Sequence, residues 1–276
     1  MEDKMLLALK QRSNRIRLKC LDIIHKSKAS HIGSSLSCID ILNCIYSSIN
    51  INKLKSYSLE RDRVILSKGH AVGALTATLN EYGLISDNDL YMYGSSGQFI
   101  TTNTNYWAPY NEFSTGSLGQ GLSLAVGVGY GLKTKNYNGH VYVIIGDGEL
   151  NEGSNWEALL LCENLKLNNL TVILDKNNLS GIGNINNYCS LNNIKSKFES
   201  FSFFTQVVDG HNISEVYEAL HNRKTDLPSA IICNTVKGKG VSFMENNNIW
   251  HYRPVDKEML KLAQNELLKI INGEGI

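Results

Sequence analysis

Apolar positions along the chain follow two rhythms. Near the N-terminus they recur at helical spacing, at Leu6, Leu9, Ile16, Cys20, Ile23 and Ile24, and predict a helix over about residues 3–27. A second helical run, SCIDILNCIYSSI, begins at Ser37, a residue type suited to cap it. DRVILS reads as a short buried strand, and GHAVGALTATLNEYG as a small-residue helix ending at Gly83. After a polar, aromatic stretch (93–113), GSLGQGLSLAVGVGYGLK predicts a helix whose small residues pack closely against a neighbour. Beyond it the alternation is regular: strand 140–146, helix 151–166, strand 170–175, strand 204–209, helix 213–221 and strand 229–234. DKEMLKLAQNELLKIIN is a capped amphipathic helix.

VYVIIG, LTVIL and SAIIC are continuously apolar and rich in β-branched residues, which requires burial on both strand faces. The expected fold is therefore α/β, a parallel sheet flanked by helices on both faces. Binding loops in such a fold lie at the carboxyl ends of the strands. There is no internal repeat or Pro-rich linker; 276 residues suit one sizeable domain or at most two small ones, and three prolines mark no boundary.

Composition narrows the function only by exclusion. A formal charge of +1, with no basic block, gives no support for nucleic-acid binding. No apolar run approaches the roughly 20 residues that span a bilayer. MEDKMLLALKQRSNRIRLK lacks the apolar core of a secretory signal, so a cytoplasmic protein is expected. The six cysteines, Cys20, Cys38, Cys44, Cys162, Cys189 and Cys233, form no C-x-x-C pair and read as small hydrophobes in a reducing compartment.

The chemistry concentrates in GDGELNEGSNWEA, residues 146–158, directly after an apolar strand. A glycine-rich turn there usually receives phosphate, yet this one carries Asp147, Glu149 and Glu152. Either the turn is only a polar loop, or a cation stands between these acids and a phosphate. DKNNLSGIG (175–183) ends the next strand on the same edge, so Asp147, Asn177 and the Leu179 carbonyl could supply three hard oxygen ligands to Mg²⁺ or Ca²⁺. Gly146 and Gly148 let the backbone approach, and the start of helix 151–166 offers free N–H groups to an anion. Glu149 reads mainly as an acid favouring a helix start.

GDG followed by 28 residues and NN resembles the thiamine-diphosphate motif, and four further segments resemble the transketolase family in the same order. They are SHIGSSLSCIDIL (30–42), LSKGHA (66–71), STGSLGQGLSLAVG (114–127) and TVKGKGVSFMENNNIWH (235–251). The resemblance implies a single domain over 1–276, thiamine diphosphate with Mg²⁺ or Ca²⁺ as cofactors, and His31, His70 and His251 facing cofactor and donor. It assigns Ser34, His70, Gly116, Ser117, Leu118, Gly148, Asn177, Lys237 and His251 to cofactor binding. Leu118 would wedge the cofactor into its bent shape. Lys237 reads alternatively as a solvated loop lysine. His25, His140, His211 and His221 match no motif and read as structural.

The family carries two further domains, one holding the glutamate that protonates the cofactor's pyrimidine. This chain looks like the N-terminal subunit of a split enzyme. Its expected partner is a C-terminal transketolase-like subunit, in a heterotetramer of two chains each, with Glu152 at the interface. The activity implied is transfer of a two-carbon unit, ketol or acetyl, to a carbonyl acceptor. Transketolases also carry a Gly-His-Pro segment, but here SGQFITTNTNYWAPYNEF stands before STGSLGQG, with no histidine between His70 and His140. That absence raises pyruvate as a donor, with Trp107 and Tyr110 either shaping the altered pocket or filling the loop's core. The competing readings are an α-type subunit of a 2-oxo acid dehydrogenase and a non-catalytic scaffold of the same fold.

Overall fold

A computed structural model describes residues 2–188 and 190–273. The chain opens with α1 (Glu2–Ser27), α2 (Ile32–Ser37), α3 (Ile39–Ser48) and α4 (Ile51–Lys55), followed by β1 (Arg63–Leu66). Then come α5 (Val72–Glu81), α6 (Asp87–Tyr91), α7 (Gly121–Thr134), β2 (Val141–Gly146), α8 (Gly153–Asn164) and β3 (Leu170–Lys176). A small hairpin of β4 (Leu179–Ser180) and β5 (Gly183–Asn184) precedes α9 (Ile194–Ser200) and β6 (Phe204–Asp209). The chain continues through α10 (Ile213–His221) and β7 (Ser229–Asn234) to α11 (Lys257–Ile271).

β1, β2, β3, β7 and β6 lie side by side in that order, all parallel. Successive strand residues bury into opposite layers: Val64 and Leu66 join one core, Ile65 the other, and Tyr142 and Ile144 alternate with Val143 and Ile145. The first layer is closed by α1, α3, α5 and α10, the second by α7, α8 and α9. This is the two-sided burial that the continuous apolar runs demand.

Three local expectations change. Ser37 does not cap the second helix. It is the last residue of α2, and its hydroxyl donates to Asp175 at 2.6 Å, so α3 starts without a side-chain cap. The helix expected from residue 151 begins at Gly153, because Gly148–Asn151 form a 3₁₀ turn first. Along α7 the small residues are only partly buried: Gly129 faces the Leu167–Leu170 region, while Gly127 and Gly131 face open space. The described cysteines, Cys20, Cys38, Cys44, Cys162 and Cys233, are free and buried, and Cys189 lies outside the described residues. Among the described residues no helix is long and apolar enough to cross a membrane.

The helical layer is tied by a buried ionic cluster. Asp40 pairs with Arg17 and accepts from His211 Nδ1 at 2.8 Å, while His211 Nε2 accepts from the Val236 N–H at 2.8 Å. His211 is thus a structural relay, held in one tautomer. Burial alone would raise Asp40, but the Arg17 guanidinium and His211 overcome it and hold the carboxyl well below its ordinary value of 3.8. Asp175 is depressed in the same sense, with Lys68 overcoming burial. A carboxylate depressed in the folded state stabilises above its unfolded pKa, and that stability is lost as pH falls through the folded value. The urea midpoint should therefore drop as pH falls below about 4, and Asp40→Asn should flatten part of the drop. An unchanged slope in that variant would assign the acid sensitivity elsewhere.

Candidate active site

Gly146 at the end of β2 stands opposite Asp175 at the end of β3, so the turns leaving both strands meet at one edge of the sheet. The Asp147 carboxylate accepts from the Gly148 N–H at 2.8 Å and the Asn178 N–H at 2.5 Å. Asn177 Oδ1 accepts from the Leu179 N–H at 3.0 Å. The three expected metal ligands are thereby gathered beside a cavity of about 560 Å³. Ser34, His70, Gly116, Leu118, Gly148 and Glu152 also line it.

His31, His70 and His251 pack together across this cavity, with ring centroids 4.9 to 5.6 Å apart. His31 has φ of 70°, an uncommon backbone for a non-glycine residue. It is held there by its N–H bond to the His251 carbonyl at 2.9 Å. Burial and the neighbouring Lys237 and Lys68 ammoniums lower His31. Burial, Lys237 and His31 lower His251 to about 3. His70 is lowered by burial, then by Lys68 and the other two imidazoles. All three rings are therefore neutral at pH 7 and can each donate one hydrogen bond and accept another. Lys237 donates to His251 Nδ1 at 2.9 Å, which leaves the His251 hydrogen on Nε2.

Two buried groups are not evident from the sequence. Lys68, inside LSKGHA, is 2 % exposed and pairs with the fully buried Asp175. Burial would lower Lys68, but Asp175 overcomes it and keeps the ammonium charged. Asp175 is further bonded by Ser37 and Thr235, so every partner comes from a different part of the chain. Glu149 is the second. It stands in the first turn of the 3₁₀ segment Gly148–Asn151, and it is also a 1 % exposed carboxylate accepting from Ser67 Oγ at 2.5 Å, Gly119 N at 2.9 Å and Gly146 N at 3.1 Å. Burial raises its pKa. It pins the GSLGQG loop to the ends of β1 and β2. Gly119 adopts φ of +84°, and a Cβ there would sit 2.6 Å from that of Glu152. The only signal for either group is membership of a motif.

Other expected residues sit differently from the sequence reading. Lys237 is completely buried, which excludes the solvated loop lysine, and it stands behind the cavity wall, donating to the Leu179 carbonyl at 3.0 Å. Ser117 is exposed and does not line the cavity. Trp107 is 71 % exposed and Tyr110 stacks on Tyr57, so neither shapes the pocket; Asn103 is the residue of that segment that reaches it. Trp107 does not fill a loop core either.

Whether the donor set fits a cation turns on what Asp147 lacks. It is 3 % exposed, and among the described residues it has no ion pair, only the two N–H donors. Burial and the nearby Asp175 raise its pKa to about 6. A buried carboxylate without a counter-charge is costly, and a bound cation removes that cost. The described residues hold no cluster of three His, Cys, Asp or Glu side chains arranged for a metal. One carboxylate, an amide oxygen and a carbonyl with a free lone pair instead suit a hard cation that completes its shell with diphosphate oxygens and water.

Residues 9–268 match the family described as "Transketolase, thiamine diphosphate binding domain". The chain belongs to the transketolase family. It is 34 % identical to one subunit of the apulose-4-phosphate transketolase of Phocaeicola vulgatus, over 95 % of this chain and 93 % of that protein. The 6-deoxy-6-sulfo-D-fructose transketolase subunit SqwG of Clostridium sp. is also 34 % identical, over 95 % and 96 %. Human transketolase is 30 % identical over 99 % of this chain but only 44 % of its own length. Among solved structures, Campylobacter jejuni transketolase superposes with a TM-score of 0.86 at 30 % identity, covering 94 % of this chain and 42 % of the other. The fold is thus that of the N-terminal, cofactor-binding part of a transketolase. Relatives matched along nearly their whole length are named as single subunits of transketolases.

Proposed function

We propose that this chain is the thiamine-diphosphate-binding subunit of a two-chain transketolase-like transferase that moves a two-carbon unit onto a carbonyl acceptor. The observation that carries it is the buried Asp147 carboxylate, which makes no direct ion pair among the described residues, set beside Asn177 and Leu179 and facing three neutral histidines across one cavity. Asp147, Asn177 and the Leu179 carbonyl would hold Mg²⁺ or Ca²⁺, and Ser34, His70 and Gly148 would border the diphosphate. When bound, thiamine diphosphate supplies a nucleophilic carbon that adds to a ketone and stabilises the charge left after C–C cleavage. His31, His70 and His251 would exchange hydrogen bonds and protons with donor oxygens. Leu118 and Gly116 would shape the pyrimidine end.

The partner would be a C-terminal transketolase-like subunit bringing the glutamate that activates the pyrimidine, in a heterotetramer. Exposed apolar residues favour docking of another chain: Tyr130 on α7, Leu160 and Leu161 on α8, and Phe99, Tyr106 and Trp107 on the segment before GSLGQG. Glu152, exposed at the cavity rim, would meet that subunit.

Relatives named for sugar-derived ketoses favour a ketose phosphate as donor. Pyruvate is the second reading, favoured by the absence of histidine between His70 and His140. Supplying the reconstituted pair with xylulose 5-phosphate or with pyruvate, each with a short aldehyde, decides between them. Ketol transfer without CO₂ supports the first, and CO₂ release from pyruvate supports the second. Neither reaction in a cofactor-loaded pair would refute the proposal.

A further inference from the structure

Tyr252 follows His251 at the end of a 3₁₀ turn and lines the cavity. Its ring meets His251 edge-on at 4.6 Å and His31 at 6.1 Å. The side chain is 62 % exposed, and among the described residues its hydroxyl makes no hydrogen bond shorter than 3.5 Å. That hydroxyl lies over Gly181 in the hairpin loop between β4 and β5. A Cβ on Gly181 would come within 2.5 Å of the Tyr252 oxygen and 3.1 Å of His251 Nε2. Gly181 is not in a left-handed conformation, so its backbone does not demand glycine. What the bare Cα provides is room for the phenol.

We propose that Tyr252, seated over Gly181 beside His251 Nε2, is a specificity-determining residue that hydrogen-bonds an oxygen of the two-carbon donor. Lys237 already occupies His251 Nδ1, and Ser30 Oγ lies 2.9 Å from His31 Nδ1. The His251 Nε2–H therefore faces the same corner as the phenol. A donor oxygen entering there meets two hydrogen-bonding groups at once, one fixed and one on a rotatable hydroxyl. Both Asn103 and the Tyr252 hydroxyl supply neutral polar atoms, which suits a hydroxyl or carbonyl oxygen and places no further fixed charge on the donor side.

This inference rests on the proposed function, and its test separates the two. In the reconstituted pair, Tyr252→Phe keeps the ring and removes the hydroxyl. Thiamine diphosphate affinity, measured by calorimetry with Mg²⁺, should stay within about 2-fold, since the phenol faces the donor side. The kcat/KM for the donor that is turned over, xylulose 5-phosphate or pyruvate, should fall about 3- to 10-fold, the scale of one neutral hydrogen bond. Gly181→Ala should lower it as well by displacing the phenol. Gly181→Ala with Tyr252→Gly should restore room, accept bulkier donors and not recover the original preference. Unchanged donor kcat/KM in Tyr252→Phe, with cofactor bound, overturns the role of Tyr252 alone. Failure of the two chains to assemble in Tyr252→Phe also overturns it, in favour of an interface contact. Failure of the wild-type pair to bind thiamine diphosphate overturns the underlying function.

Discussion

Asp147→Asn is expected to remove the response to thiamine diphosphate and Mg²⁺ while leaving the metal-free protein at least as stable as wild type. The two effects have one cause. In the fold Asp147 is buried, makes no direct ion pair among the described residues and has its pKa raised from 3.8 to about 6, burial and Asp175 outweighing Lys68. A carboxylate raised in this way contributes stability below its unfolded pKa and loses it as pH rises through the folded value. At pH 7 it is ionised and costs about 3 kcal/mol in the absence of a cation. Gly148 and Asn178 bond different carboxylate oxygens, so asparagine keeps an acceptor for only one of them. It also removes the buried charge, which outweighs one lost hydrogen bond, so the metal-free urea midpoint should rise or hold. The same change removes the one anionic group of the proposed metal site, so turnover by the pair should fall at least 100-fold, a loss of about 2.7 kcal/mol or more. A structural carboxylate would give the opposite pattern, lower stability with the ligand response retained.

Lys68→Met is expected to destabilise the fold strongly. Removing one partner of a buried pair leaves the other charge uncompensated, typically at a cost of about 3–5 kcal/mol. Here the stranded group would be Asp175, which is fully buried, with only Ser37 and Thr235 left as partners. Lys68→Met/Asp175→Asn should recover a large part of the loss, because no unpaired ion remains. Chemical denaturation of the single and double variants checks this. If the double variant is destabilised by the sum of the single changes, the two groups are not coupled. The pair also matters electrostatically: Lys68 lowers the Asp147 pKa and Asp175 raises it, so the proposed metal site is tuned from behind.

The parts of this site that are legible in the sequence are those carried by short stretches. Strand patterns with both faces apolar place GDG and NN at the ends of neighbouring strands, and the observed register brings Gly146 opposite Asp175. LSKGHA and NNNIWH likewise mark where two of the histidines come from. What the sequence does not reveal depends on burial and distant pairing. Glu149 looks like a helix-start acid in GDGEL, and only the approach of Ser67 and Gly119 makes it a clamp. Lys68 finds Asp175 across 107 positions. Ser37 has the chemistry of a cap, but the strand end behind it takes its hydroxyl. Trp107 shows the reverse failure, an aromatic residue expected to pack that stays exposed.

The most direct test of cation-bridged cofactor binding is calorimetric titration of thiamine diphosphate into the chain reconstituted with its partner, with Mg²⁺ and again with a chelator. The expected result is saturable binding that requires the cation, with protection of the folded state that grows with ligand concentration. Binding of equal strength in chelator, or no binding in Mg²⁺ by an assembled pair, would contradict it.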